Sequence, residues 1–269
     1  MRAGRQEWAD VSGAGADVVA RVLQVRTGAV GVLDRATVGR SGTVDSALGK
    51  RPRDGAVPLW ELGFDGDAQA DRENHGGTEK AVLVYPAEHY PEWERELGRD
   101  ISGRGLGENL RVTGTGDAAW DERSVRPGDV YRVGTALVRV TAPRRPCYKL
   151  GLAHGYTQMP VRVQASGRTG FYLAVLESGE VRAGDAVRLV ERARHGVTAF
   201  EVNRVMNVDK RDSAGIEHVL AAAAVLPARW VAKLEKRLAA CVHDGGGDAG
   251  APAHDADALA HEDDARVYG

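Results

Sequence analysis

The hydrophobic pattern of this chain changes period near residue 194. From Ala20 to Val190, short apolar runs alternate with polar positions and are punctuated by glycine turns. Val22, Val25 and Val30, and then Val82 to Val84, are β-branched and strand-like. The stretch from Asp129 to Thr141 predicts a hairpin. Its Gly134-Thr135 loop carries glycine first, as a type II′ turn prefers. Gly184-Asp185 precedes a further strand, Ala186 to Val190. One short helix is predicted from Pro91 to Gly98, with proline at its first position and glycine as its stop. The region is therefore read as mainly β. After Arg194 the apolar spacing becomes helical. Thr198 and Glu201 form a capping box ahead of Val202, Val205 and Met206. Ile216 to Ala224 makes a second helical run. Pro227 opens a third, with Trp230, Leu234 and Leu238 on one face. Each of these is too short to stand alone, so they must pack together or on the β region.

This pattern divides the chain into a flexible N-terminus (1–18), a β domain (19–192), a three-helix domain (196–242) and an acidic tail (243–269). The tail has seven acidic residues against one arginine and almost no large apolar side chains, a composition expected to be disordered. The N-terminus has no continuous apolar stretch of the kind a signal peptide needs. No run is long enough for a transmembrane helix.

Composition narrows the picture only slightly. At 269 residues with 43% hydrophobic content, the chain can build a substantial core. A formal net charge of −2 gives no global attraction to nucleic acid or membrane. Lys233, Lys236 and Arg237 interleave with Glu235 as an ordinary solvated face, so no nucleic-acid partner is expected. The two cysteines, Cys147 and Cys241, are far apart in sequence and make neither a disulfide framework nor a zinc pattern. A reducing cytoplasm fits them best.

The chemistry concentrates at Pro143-Arg144-Arg145-Pro146-Cys147-Tyr148-Lys149. Three cations lie close to one thiol, and nearby cations favour the thiolate. Two prolines stiffen the loop. Arginines in a stiff loop suit bidentate capture of phosphate. A reactive sulfur beside an anion site and a small buried cysteine in a basic loop are equally compatible with these seven residues. Elsewhere, His75-Gly76-Gly77 would let backbone approach a ligand closely, or simply turn into the strand that follows. Arg168, between Gly167 and Gly170, suits either an anion contact or a solvated turn. Cys241 ends the helical region and looks incidental.

Taken in order, several segments resemble the MOSC domain, the C-terminal domain of molybdenum cofactor sulfurases. They are Gly66-Asp67, His75-Gly76-Gly77, Lys80-Ala81-Val82 and Tyr85, Gly107-Glu108-Asn109-Leu110, and Gly128-Asp129. The Pro143 to Cys147 loop, Gly167 to Tyr172 and Gly184-Asp185 complete the set. The helical region resembles the small three-helix domain of one bacterial subgroup, which includes the hydroxylaminopurine-resistance proteins. Together the match spans roughly residues 20 to 240.

The resemblance implies a β-barrel-like fold followed by three helices, and a molybdenum cofactor (molybdopterin). It implies that Cys147 is the metal ligand or the carrier of a transferable sulfur. It also places Lys50, His75, Gly76, Gly77 and Asn109 around the cofactor, with Arg144, Arg145 and Arg168 receiving its phosphate. Lys50 and Pro52 are similar to a Lys-x-Pro element of that family. No pyridoxal phosphate is expected, because the chain has no length for the desulfurase domain that uses it. The implied activity is an oxidoreductase reducing N-hydroxylated bases or amidoximes, small molecules whose N–O bond is cleaved. The electrons would come from an external donor, a reductase or ferredoxin-like protein. Alternatives are a persulfide carrier acting through Cys147, and a non-catalytic binding module. The helices suit partner docking or a homodimer.

Overall fold

Alternating apolar positions become strands, and the structure arranges most of them around one barrel. It is a computed structural model describing residues 17–70, 76–115 and 119–244. The strands in chain order are β1 (Val18–Thr27), β2 (Gly31–Asp34), β3 (Thr43–Ser46), β4 (Arg51–Arg53), β5 (Val57–Trp60), β6 (Gly63–Phe64) and β7 (Val82–Pro86). They continue with β8 (Leu110–Gly114), β9 (Val130–Val133), β10 (Ala136–Pro143), β11 (Phe171–Glu177), β12 (Gly179–Val181) and β13 (Ala186–Glu191). The helices are α1 (Tyr90–Leu97), α2 (Tyr148–His154), α3 (Met159–Ser166), α4 (Ala199–Asn203), α5 (Ser213–Leu220) and α6 (Ala228–Asp244).

Seven strands run β13-β9-β10-β11-β7-β8-β1, and β1 closes the barrel by pairing back onto β13. β4 attaches to the far end of β1. All barrel pairings are antiparallel except β7 with β8, where Val84 lies opposite Leu110. A parallel pair needs a crossover, and here it carries α1. β1 can serve three neighbours because its register shifts between Val22 and Gln24. The extra residue moves the inward set from Ala20 and Val22 to Val25, all of them buried. This is why the valines of β1 do not follow strict alternation.

The barrel interior holds Leu59, Leu110, Val138, Val140, Phe171 and Leu173, each at 0% exposure. Burying side chains of this size stabilises by roughly 1.5–3 kcal/mol apiece. A second cluster, including Tyr85, Trp93, Leu106, Leu150 and Met159, lies between the barrel and α1, α2 and α3. A third, including Val202, Val205, Ile216, Val219 and Leu234, belongs to the C-terminal helices. α4 is anchored to the barrel region by two main-chain bonds, Ala199 N–H to the Val125 carbonyl (2.9 Å) and Phe200 N–H to that of Glu122 (2.7 Å). Among the described residues no helix is long and apolar enough to cross a membrane.

Local signals translate directly. Gly134 has φ +57° in the β9–β10 turn, and no residue other than glycine has positive φ among the described residues. Thr198 and Glu201 form both bonds of the capping box. Gly98 ends α1 in the left-handed conformation. Four expectations need correction. β1 begins at Val18, inside the span read as loose. Val30 lies in the turn before β2 and is 45% exposed, so it is no barrel residue. The second C-terminal helix starts at Ser213, because the Asp212 carboxylate caps it by accepting from Gly215 N–H, and it stops at Leu220. The mainly β region also contains α2 and α3, whose burial against the Tyr85–Trp93 cluster stabilises helices too short to hold by themselves. The expected acidic tail beyond Asp244 and the first sixteen residues lie outside the described residues.

Candidate functional site

Against the outer face of β7 and β11, where Leu83 pairs with Tyr172 and the alternate residues Val82, Val84, Phe171 and Leu173 point into the barrel core, six segments of the chain enclose a pocket of about 680 Å³, its open mouth included. Ser46 ends β3 and Ala47, Leu48 and Lys50 follow it, and Asp67 to Ala70 come from the loop after β6. Lys80 and Leu83 stand at the start of β7, and Gly107 and Asn109 just before β8. Arg144, Arg145, Cys147 and Lys149 form the wall between β10 and α2, with Tyr172 beside them on β11. The lining has five cations and one carboxylate, so the pocket is basic although the chain is near neutral.

The basic cysteine loop is fixed at both ends. Pro143 pairs with Phe171 at the end of β10. Arg144 N–H donates to the Gly170 carbonyl at 2.9 Å, and Leu150 N–H donates to that of Cys147 at 3.0 Å, starting α2. Gly170 makes the first contact possible. Its φ is +74°, and a Cβ there would lie 2.5 Å from the Val84 carbonyl oxygen. Arg144 is only 4% exposed, and its Nη1 has no hydrogen-bond partner. A buried cationic donor without an acceptor is costly, at about 1–3 kcal/mol or more. Cys147 itself is partly exposed. Burial raises the Tyr172 phenol above its ordinary range; Arg144 opposes this and Cys147 adds to it.

The opposite wall is a tight polar knot. The Lys50 ammonium is paired with the Asp67 carboxylate, with side-chain exposures of 8% and 7%. Asp67 also accepts from Gly28 N–H (2.9 Å) and Asn109 Nδ2 (2.8 Å). Burial lowers the Lys50 pKa, and the charge of Asp67 partly restores it. Asn109 spends its amide inward: Nδ2 also donates to the Arg26 carbonyl (3.3 Å), and Oδ1 accepts from Leu83 N–H (3.1 Å). It latches β1 to the start of β7 and β8.

Beneath this wall Glu108, fully buried, accepts from Arg111 Nη2 (2.8 Å), Tyr90 Oη (2.6 Å) and Leu106 N–H (2.7 Å). Arg26 lies 3.6 Å from the same carboxylate. Burial lowers the Arg26 pKa and Glu108 opposes it. This carboxylate holds the loop that presents Gly107 and Asn109. His154, on α2, bonds through Nε2 to the Gly105 carbonyl (3.0 Å), so that nitrogen carries the proton. Burial, with Arg99, Arg104 and Arg144 nearby, lowers its pKa to about 4.

Of the expected site residues, the pocket brings together Lys50, Asn109, Arg144, Arg145 and Cys147. Arg168 is not among the lining residues. It pairs with Glu92 at 2.5 Å and stacks 5.0 Å above the Trp93 ring, while its carbonyl accepts from Tyr85 Oη (3.0 Å). The left-handed Gly167 and Gly170 on either side turn its side chain toward α1. Gly76 and Gly77 do not line the pocket either. Gly77, with φ +88°, starts the short turn that delivers Lys80. His75 lies outside the described residues. Asp67, Lys80, Lys149 and Tyr172 are additional lining residues. Asp67 stood in a recognised Gly-Asp segment, but nothing local to it announces its contact with Lys50.

A sequence profile described as the MOSC domain matches residues 71–188. The chain is 43% identical over 194 residues to an uncharacterized protein, YflK, of Bacillus subtilis (strain 168), covering 72% of this chain and 85% of that one. It is 33% identical over 205 residues to protein YiiM of Escherichia coli (strain K12), covering 71% and 84%. A protein of Gibberella moniliformis named reductase is 35% identical over 189 residues, which make up 32% of its length. The crystal structure of YiiM from Geobacillus stearothermophilus superimposes with a TM-score of 0.64 at 27% identity, covering 81% of this chain and 99% of that one. That of YiiM from Escherichia coli gives 0.58 at 29%, covering 80% and 93%.

Proposed function

This chain belongs to the MOSC domain family, and we propose that its basic pocket holds a phosphate-bearing molybdenum–pterin cofactor with which it reduces N-hydroxylated small molecules to amines. One observation carries this reading. Arg144 is buried beside Cys147 with Nη1 unpartnered, which suits an anionic group of a bound ligand. Arg145, Lys149 and Lys80 line the same space and would share such a charge. Cys147 would be the sulfur ligand, since soft thiolates suit such metals. Among the described residues no group of three His, Cys, Asp or Glu could hold a metal ion.

When bound, the cofactor supplies the two-electron chemistry. The chain's residues bind and orient. Arg144 and its neighbours fix the phosphate, Lys50 is held at the opposite wall by Asp67, and Tyr172 keeps its proton beside Cys147. Converting a hydroxylamine to an amine and water consumes two electrons and two protons. The electrons would come from an external reductase or ferredoxin-like partner. The name reductase borne by the Gibberella moniliformis relative accords with this chemistry.

The partial exposure of Cys147 favours a second reading, in which its sulfur carries a persulfide to an acceptor. Molybdenum and pterin analysis of protein from a cofactor-producing host separates the two. Stoichiometric metal in wild type, lost in Cys147→Ser, together with amine formation from hydroxylaminopurine, supports the reductase. Persulfide without metal supports the carrier. A metal-loaded and reducible protein that leaves hydroxylaminopurine untouched rejects this substrate class.

A further inference from the structure

We propose that Cys147 is a thiol–disulfide exchange site selective for anionic disulfides, of which glutathione disulfide is the type, and that the exchange closes the pocket to its phosphate-bearing ligand. The inference uses the anion-binding half of the function proposed above and does not depend on molybdenum.

Three observations support it. Cys147 is partly exposed and lines a pocket that opens to solvent, so a thiol or disulfide can reach its sulfur from outside. Arg144, 4% exposed, lines that pocket with Nη1 unpartnered, so the wall beside the sulfur has an unmet demand for an anion. Arg145, Lys149 and Lys80 complete a basic rim, and the carboxylate of Asp67 is committed to Lys50 on the far wall. A disulfide of net negative charge is therefore drawn to the sulfur, and one of net positive charge is repelled.

The disulfide itself is the oxidant. The Cys147 sulfur attacks one disulfide sulfur and its proton goes to solvent. The S–S bond breaks, an Sγ–S bond forms, and the second sulfur leaves with the bonding electron pair as a thiolate. The protein sulfur ends oxidised and the leaving sulfur reduced. Cys147 is the only cysteine of the pocket lining. Cys241 lies on α6, with Sγ 3.6 Å from the Arg211 carbonyl oxygen. The mixed disulfide is thus resolved by an external thiol, which makes the block reversible.

The test uses the full chain made in cells lacking molybdenum cofactor. It is exposed in parallel to glutathione disulfide (anionic), hydroxyethyl disulfide (neutral) and cystamine (cationic), and modification is followed at each cysteine by peptide mass spectrometry. Cys147 should react at least about tenfold faster with the anionic than with the cationic reagent, the scale of electrostatic focusing in a charged cleft. Inorganic phosphate and added salt should shrink that ratio. Arg144→Ala should collapse it, and Lys149→Gln serves should Arg144→Ala not fold. Cys241 in the same sample should show no such order. Equal rates with all three reagents at Cys147, or the same order at both cysteines, overturns the proposal. Charge selectivity in a protein that never accepts molybdenum would leave this inference standing and sink the cofactor reading. Metal loading with flat rates would do the reverse.

Discussion

Replacing Asp67 with alanine would leave the Lys50 ammonium buried, 8% exposed, without its counter-charge. The asymmetry of buried ion pairs sets the magnitude. Removing one partner costs about 3–5 kcal/mol, whereas removing both can be nearly neutral. Asp67 also accepts from Gly28 N–H and Asn109 Nδ2, so Asp67→Ala should sit toward the upper end. For a domain of this size that is a fall in Tm of roughly 6–20 °C. Lys50→Met combined with Asp67→Ala should recover most of the loss. The sign of the pH dependence follows from Lys50. Burial depresses its folded pKa, so in Asp67→Ala the unfolded chain holds this proton more tightly than the folded one. Stability of the single variant should therefore rise toward that of wild type as pH is raised through the depressed pKa. Denaturant melts of both single variants and the double, at neutral and alkaline pH, make the measurement. A loss below about 1 kcal/mol in Asp67→Ala, or a double variant no more stable than Asp67→Ala, would refute the account of this pair.

Three further outcomes follow from other residues. His154, with its pKa lowered from 6.5 to about 4, binds its proton more weakly when folded. It should therefore cost the wild type about 3 kcal/mol as pH falls from 6.5 to 4, and His154→Gln should flatten that part of the stability profile if its amide keeps the Gly105 bond. Gly170→Ala should destabilise by about 2 kcal/mol or more, from a left-handed backbone and a Cβ 2.5 Å from a carbonyl oxygen. Because Arg144 N–H rests on Gly170, phosphate affinity measured by calorimetry should fall as well. Arg168→Ala should leave phosphate affinity within about twofold of wild type, since its guanidinium faces Glu92 and Trp93; a tenfold loss would place Arg168 back at the anion site.

The signals that were legible in the amino-acid order are those that act within a few residues. Capping at Thr198 and Glu201, the left-handed stop at Gly98 and the positive φ of Gly134 each depend on their own turn. The basic cysteine loop was legible for the same reason, because the cations and the thiol adjoin in sequence. What only the tertiary structure decided is which charges meet. Arg144 and Arg168 both sit in basic loops punctuated by proline or glycine, yet one lines the pocket and the other turns onto Trp93. Lys50, Asp67 and Asn109 converge because β1 and the start of β8 pair and the loop after β6 folds across them. Helices α2 and α3 form because the Tyr85–Trp93 cluster buries them, a condition their short sequences do not carry. Strand pairing through Val18 and Arg188 closes the barrel across more than half of the chain, and no local preference specifies that contact. The site itself depends on the pairing of β11 with β7 and of β8 with β1, because register fixes which residues face one another.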